Sequence, residues 1–113
     1  MRSSLHATAE SKRSAPLFAA LGDPRRLWLV ARLCDQGPTS IVRLTSGSRV
    51  TRQAITKHLR VMERAGLVHS AHRGRETLWQ LDQQRIETAR HYLDTISRQW
   101  DEKLARLRAF VED

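Results

Sequence analysis

The stretch Thr51–Arg64, Thr-Arg-Gln-Ala-Ile-Thr-Lys-His-Leu-Arg-Val-Met-Glu-Arg, constrains this chain more than any other. Ala54, Ile55, Leu59 and Met62 follow one another at steps of one, four and three, the period of a helix that buries a single face. Thr51 is placed to cap that helix, its hydroxyl accepting from a free N–H of the first turn. Gly66 stands where a left-handed residue would end it. The opposite face carries Arg52, Gln53, Thr56, Lys57 and Arg60, with Arg64 at its end. Arg can bond guanine O6 and N7 together, Gln can bond adenine N6 and N7, and Lys and Thr suit phosphates. Taken alone, the same face also fits an ordinary amphipathic helix with a solvated basic side. What surrounds it separates the two.

Charge is the first discriminator. The chain carries 20 Lys and Arg against 12 Asp and Glu, a net of +8 over 113 residues. Between Thr39 and Arg75 lie eight basic residues (Arg43, Arg49, Arg52, Lys57, Arg60, Arg64, Arg73, Arg75) and one acidic residue, Glu63, a net of +7. Between Gln83 and Asp113 six basic and six acidic residues cancel. The excess therefore sits in one unit, the footprint expected on a polyanion. A chain of this length is one domain with a modest core. Its single cysteine, Cys34, precludes an intramolecular disulfide, fits a reducing cytoplasm, and reads by default as a small buried thiol. No apolar run approaches the roughly 18 residues of a membrane span, and the first fifteen residues lack the apolar centre of a secretory signal.

Residues 1–15, rich in Ser, Ala and charge without a sustained period, read as a disordered polar tail. Pro16 is expected to open a short helix, Leu17–Leu21, ended by Gly22. Asp23-Pro24 then starts a second helix to about Gln36, Asp as N-cap and Pro at the first helical position, with Leu27, Val30 and Leu33 as its stripe and Leu29 beside it. Trp28 lies off that stripe and reads either as a subunit contact or as a partly covered surface side chain. Gly37-Pro38 breaks the helix. Thr39-Ser40 can cap a short third helix to Thr45, anchored by Ile41, Val42 and Leu44, and Ser46–Val50 turns the chain into Thr51. Two helices joined by such a turn, the second basic on its free face, make a helix-turn-helix.

Beyond Gly66, Leu67–His72 and Glu76–Leu81 read as two strands joined by Arg73-Gly74-Arg75. A basic hairpin directly after such a helix is a wing, its arginines placed to enter a minor groove or clamp phosphates. Asp82 is expected to cap a last helix from Gln83 to about Val111. Its apolar residues Ile86, Ala89, Leu93, Ile96, Trp100, Leu104, Leu107 and Val111 form a near-heptad seam, widened by Tyr92 and Phe110. About 29 residues of helix span roughly 43 Å, more than the small upstream unit can cover. Much of the seam is expected to bury against a second copy, with Leu17, Trp28, Leu93, Ile96, Trp100, Leu104 and Leu107 as subunit contacts.

The order of elements and several local motifs resemble the ArsR-type (arsenical-resistance repressor) winged-helix regulators of bacteria. The resemblance covers about Leu17 to Phe110. It rests on Leu21-Gly22-Asp23-Pro24 with Arg26-Leu27, on Ala54-Ile55-Thr56-Lys57-His58-Leu59, on Glu63-Arg64-Ala65-Gly66-Leu67-Val68, and on Gly74-Arg75 leading to Leu81. The tail with Trp100, Leu104, Leu107 and Phe110 resembles small members without a metal site. The resemblance implies a mainly α fold with a small β-hairpin, a winged helix-turn-helix at residues 16–82 and a dimerisation helix at 83–113. It also implies a homodimer that binds operator DNA and represses transcription. It carries DNA contact onto Arg52, Gln53, Thr56 and Lys57, and wing contact onto Arg73 and Arg75; Thr51 and Arg60 complete the expected DNA-binding set.

The chain departs from metal-sensing members of that family. Thr39–Ser48 holds no Cys or His, and the last helix offers only Glu87, His91 and Asp94, an incomplete zinc set whose expected role is surface ion pairing. His58 reads as a packed, hydrogen-bonded side chain, and His69 and His72 flank one wing strand with no cysteine partner. No metal site, cofactor or catalytic constellation is expected. Two alternatives stay open: the same regulator with a metal- or thiol-responsive step and an unknown effector, or a winged helix whose basic face meets an acidic protein.

Overall fold

The computed structural model describes residues Arg2–Glu112, with side chains from Ala9 onward; Met1 and Asp113 lie outside the described residues. The chain runs α1 (Arg2–Leu21), α2 (Pro24–Gln36), β1 (Thr39–Ser40), α3 (Ile41–Thr45), α4 (Arg52–Arg64), β2 (Val68–Arg73), β3 (Glu76–Leu81) and α5 (Gln83–Glu112).

The centre of the molecule is the inner face of α4. Ile55, Leu59 and Met62 are buried there and meet Leu17 and Ala20 of α1, Leu29 and Leu33 of α2, Leu44 of α3, and Leu67, Val68 and Trp79 of the hairpin region. Thr51 caps α4 as the sequence implies, its Oγ1 accepting from Ala54 N at 3.1 Å. At the other end Gly66 takes φ +83°, and the Leu67 and Gly66 N–H groups donate to the Met62 and Glu63 carbonyls at 2.9 and 3.0 Å. That double bond pattern satisfies carbonyls which the last turn would leave unpaired, and it places Met62 and Leu67 together in the core.

The sheet has the antiparallel order β1-β3-β2, one strand more than the expected hairpin. Thr39-Ser40, read from sequence as a helix cap, also pairs with Trp79 and Leu78, while Ser40 still caps α3 by accepting from Arg43 N. The two functions coexist because an N-cap residue has extended backbone, which a sheet edge can use. β2 and β3 pair from Val68↔Leu81 to Arg73↔Glu76 around a two-residue turn in which Gly74 has φ +64°. Glycine at the first central position is what a tight primed turn demands.

Three expectations fail. α1 is helical from Arg2, so Ala9–Ala15 is not a disordered tail, and Pro16 lies inside the helix rather than at its start. Pro16 removes one helical hydrogen bond, but it is exposed and its ring costs no core packing. Leu17, expected at a subunit contact, is 1% exposed and belongs to the chain's own core. On α2 the buried row is Leu29 and Leu33, whereas Leu27 is 52% exposed. Arg26 explains the rotation. It shares the side of Leu29 and Leu33, three and seven residues on, and its Nε donates to the Ala20 carbonyl at 2.5 Å, tying α2 to the end of α1.

α5 projects beyond this body. The extents are 66 × 28 × 19 Å and the radius of gyration is 18.6 Å, against about 13 Å for a compact chain of this size. Asp82 caps the helix, accepting from Arg85 N at 3.0 Å. Near its start Ala89 is buried and Ile86 packs on the core; further along, Leu93, Ile96, Trp100, Leu107, Phe110 and Val111 are all exposed.

Asp23, the α2 cap, accepts from the N–H groups of Arg25 and Arg26 at 2.8 and 3.2 Å. Burial works to raise its pKa, but these backbone bonds, with the charges of Arg26 and His58, outweigh it and hold the carboxyl below the ordinary 3.8. A depressed folded-state pKa stabilises the fold above the unfolded value and loses that contribution as pH falls through the folded one. Asp23→Asn, which keeps an oxygen acceptor, is therefore expected to lower Tm at pH 7 and to match the wild type once pH drops well below 3.8. Paired thermal melts at the two pH values check it.

Candidate nucleic-acid interface

The body packs so that α4 shows its outer face. Arg52, Gln53 and Lys57 are exposed, as is their cap Thr51, and Thr56 is half-buried with its Oγ1 donating to the Arg52 carbonyl at 2.8 Å. α3 lies ahead of α4 across the turn Ser46–Val50, where Ser48 Oγ accepts from Val50 N at 3.0 Å and Gly47 takes φ +74°. This local bond and the left-handed glycine fix the turn that separates the two helices. Arg73 and Arg75 stand exposed at the tip of the hairpin. Among the described residues Arg52, Lys57, Arg73 and Arg75 form no ion pair, so each cation is free for an anion.

Arg60 differs from its neighbours. Its Nη1 donates to Glu63 Oε1 at 3.0 Å, and its guanidinium lies 5.3 Å from the centroid of the Trp79 ring. The sequence grouped Arg60 with the free cations of α4, because helical spacing cannot reveal that β3 brings an indole alongside. Trp79 itself is 2% exposed, the buried middle of the central strand.

The histidines and the thiol fall apart as candidate ligands. His58 is half-buried with Nδ1 3.5 Å from Arg26 Nη1. His69 and His72 pair across the hairpin with Gln80 and Thr77 at 3.3 and 3.2 Å. On α5, Glu87 and Asp94 both face Arg90, at 3.4 and 3.9 Å, whereas His91 turns to Glu10 of α1 at 3.4 Å. No group of three or more His, Cys, Asp or Glu among the described residues is arranged to hold a metal ion. Cys34 is exposed, not buried as its residue type suggests, since it adjoins Leu33 on the side of α2 away from the core. No helix among the described residues is long and apolar enough to cross a membrane.

Sequence reasoning missed the partners supplied by α1. Glu10 and Ser14 are 7% and 1% exposed, and Ser11 Oγ lies 3.1 Å from Tyr92 OH. Glu10, Ser14, Leu17 and Leu21 stand at steps of four, three and four, the signal that could have found this helix. Two polar residues in the stripe concealed it.

A helix-turn-helix with a cationic outer face, followed by a hairpin tipped with arginines, defines a winged helix-turn-helix of the DNA-binding kind. No protein-family model matches the chain. Its fold is similar to that of an ArsR-like transcriptional regulator from Rhodococcus sp. RHA1, with a TM-score of 0.80 and 30% identity over 93% of this chain and 95% of that one. In sequence it is 38% identical, over 52% of its length and 71% of the relative's, to the uncharacterised HTH-type transcriptional regulator YuzN of Bacillus subtilis. It is 29% identical to the arsenical resistance operon repressor of the same bacterium, over 61% of this chain and 66% of that protein. The chain belongs to the ArsR family of DNA-binding transcriptional regulators.

Arg60→Ala is expected to lower folding stability by about 0.5–1 kcal/mol, the range of exposed ring stacks and ion pairs. Lys57→Ala, on the same face without a partner, should stay within about 0.5 kcal/mol of wild type. Urea unfolding of the two variants compares them.

Proposed function

We propose that the protein is a homodimeric repressor that binds a pseudo-palindromic operator, with α4 of each subunit in a major groove and the wing alongside. The observation that carries this reading is the pairing of one cationic face with one unpartnered apolar seam. Leu93, Ile96, Trp100 and Leu107 are 43–62% exposed along a single projecting helix, and Phe110 is 82% exposed. So much contiguous apolar surface is unfavourable in water. A second copy supports a closed two-fold solution, because the same seam then covers itself. Leu104, half-buried in the lone chain, lies in that seam, whereas Trp28, capped by the Arg32 guanidinium 5.1 Å from its ring, sits beside Pro24, Ser48 and Val50 at the helix-turn-helix turn. Leu17 has no part in it.

In this reading Arg52, Gln53 and Thr56 read base edges. Lys57 bonds phosphate, Thr51 N–H and hydroxyl lie nearest the backbone at the helix start, and Arg73 and Arg75 grip the adjoining groove or its phosphates. Arg60 would have to leave Glu63 before meeting phosphate, which makes it a secondary contact. Two-fold symmetry places the half-sites about one helical turn, roughly 34 Å, apart.

In vitro selection of bound DNA tests the reading directly: paired half-sites at that spacing are expected, and absence of any preferred sequence would sink it. With a selected site in hand, Gln53→Ala should relax preference at one base position. Lys57→Ala should weaken binding to all sequences alike and flatten the slope of log affinity against log salt by about one. Trp100→Glu, which buries a charge in the seam if the dimer forms, is expected to give monomers by light scattering and to weaken operator binding at least ten-fold. A dimer that survives Trp100→Glu unchanged would place the subunit contact elsewhere.

A further inference from the structure

We propose that the groove between α1 and α5 is a binding site for a small organic cation with an apolar body, and that its occupant is an effector of the regulator; the second half rests on the function proposed above. The groove has a volume of about 600 Å³, within the usual span of small-molecule sites. Its floor is Ser14, 1% exposed, whose hydroxyl is covered and finds no hydrogen-bond partner among the described residues. A hydroxyl left in that state disfavours folding, so a ligand that moves its cover aside on entry and bonds it recovers a lost interaction. Glu10 and Glu87 bring carboxylates from the two helices, Glu10 facing His91 and Glu87 facing Arg90, with Arg13 at the rim. The Tyr92 ring, tilted at 52° to Phe18 with centroids 5.9 Å apart, supplies an apolar wall beside them. Carboxylates from two walls, an orphaned hydroxyl and an aromatic face suit an ammonium on a flat body better than an anion.

The site lies where occupancy has a mechanical consequence. α5 is joined to α1 here by His91 Nε2 to Glu10 Oε1 at 3.4 Å and by Ser11 Oγ to Tyr92 OH at 3.1 Å. α1 in turn packs through Leu17 and Ala20 against the core that seats α4. An ammonium competing for Glu10 takes that carboxylate from His91 and loosens the clasp that sets the angle between the seam and the DNA-binding body. A change in that angle changes the separation of paired α4 helices, so a cation in the groove should oppose operator binding, by linkage of the two sites.

The probe is tyramine, a phenol on an ethylammonium arm, titrated into the full chain without DNA and followed by amide chemical shifts. Shifts are expected to centre on Ser14, Thr88 and Tyr92, with N-acetyltyramine, the same body without the charge, inert. Ser14→Ala and Glu87→Gln should each weaken tyramine at least five-fold, Ser14→Ala with thermal stability retained or raised. Saturating tyramine should weaken binding to a selected operator at least five-fold. Absence of binding, shifts centred elsewhere, equal binding of the acetylated analogue, or unaltered affinity in both variants overturns the site. Binding that leaves operator affinity unchanged overturns the effector role. Because the titration contains no DNA, a chain that selected no sequence would still report on the groove, and the two failures are told apart.

Discussion

Everything in this molecule depends on α4 burying one face completely while leaving the other free. Leu59 and Met62 are wholly covered and Ile55 nearly so, and they are met by α1, α2, α3 and both ends of the hairpin. A buried leucine of this kind contributes roughly 2–5 kcal/mol against its truncation to alanine, a large share of the stability of any small domain. That burial is what holds a row of like charges in place. Lys57, Arg60 and Arg64 stand three and four residues apart along α4, and each such like-charge pair costs a few tenths of a kcal/mol. The apolar inner face outweighs that sum. Only Glu63, paired with Arg60, relieves it within the helix.

Legibility in the sequence follows from how local each determinant is. Thr51, Asp23 and Asp82 could be read as caps because a cap is decided by its own helix, and all three accept from the expected first-turn N–H groups. The φ of Gly66 and the presence of a hairpin around Gly74 were similarly local, although β2 runs Val68–Arg73 and the turn is Gly74-Arg75, not the three residues Arg73-Gly74-Arg75 expected. What escaped was set by contacts distant in sequence. Leu27 and Leu29 are equally apolar, and only the bond from Arg26 to the Ala20 carbonyl shows which one turns inward. Cys34 has the composition of a core residue and the position of a surface one. Arg60 looks free until β3 sets Trp79 beside it. Leu17 looks available to a partner until the helix before it closes the core.

The N-terminal helix is the largest of these losses, and its cause is specific. Among the described side chains of α1, burial falls on Glu10, Ser14, Leu17 and Ala20, so half of that inward row is polar. Hydrophobic period is blind to such a row, and Pro16 adds a false start signal in its middle. A structural stripe that spends its buried positions on a carboxylate and a serine gives up apolar area that alanine or leucine would have supplied there. Polar groups buried at a helix–helix contact are expensive to leave unmatched. Their presence in α1, opposite Tyr92 and His91, marks the α1–α5 contact as polar and adjustable where the α1–α4 contact is apolar and fixed.

That contrast divides the chain into a rigid part and a steerable one. The winged helix-turn-helix body closes on a continuous apolar core, and packed cores do not deform by degrees. α5 shares that core only near its start, through Ile86 and Ala89, and beyond Tyr92 touches nothing else among the described residues that buries it. Its direction therefore rests on a short stretch of contact with α1 that includes, among the described residues, a carboxylate–imidazole pair, a hydroxyl pair and a tilted ring pair. An error of a few degrees there is multiplied along a helix of 30 residues, roughly 45 Å. Two subunits joined through such levers would carry their cationic faces apart by several ångströms, a large fraction of the width of a DNA groove. In the proposed dimer, the separation of the paired cationic faces would therefore depend on the few polar atoms at the root of α5.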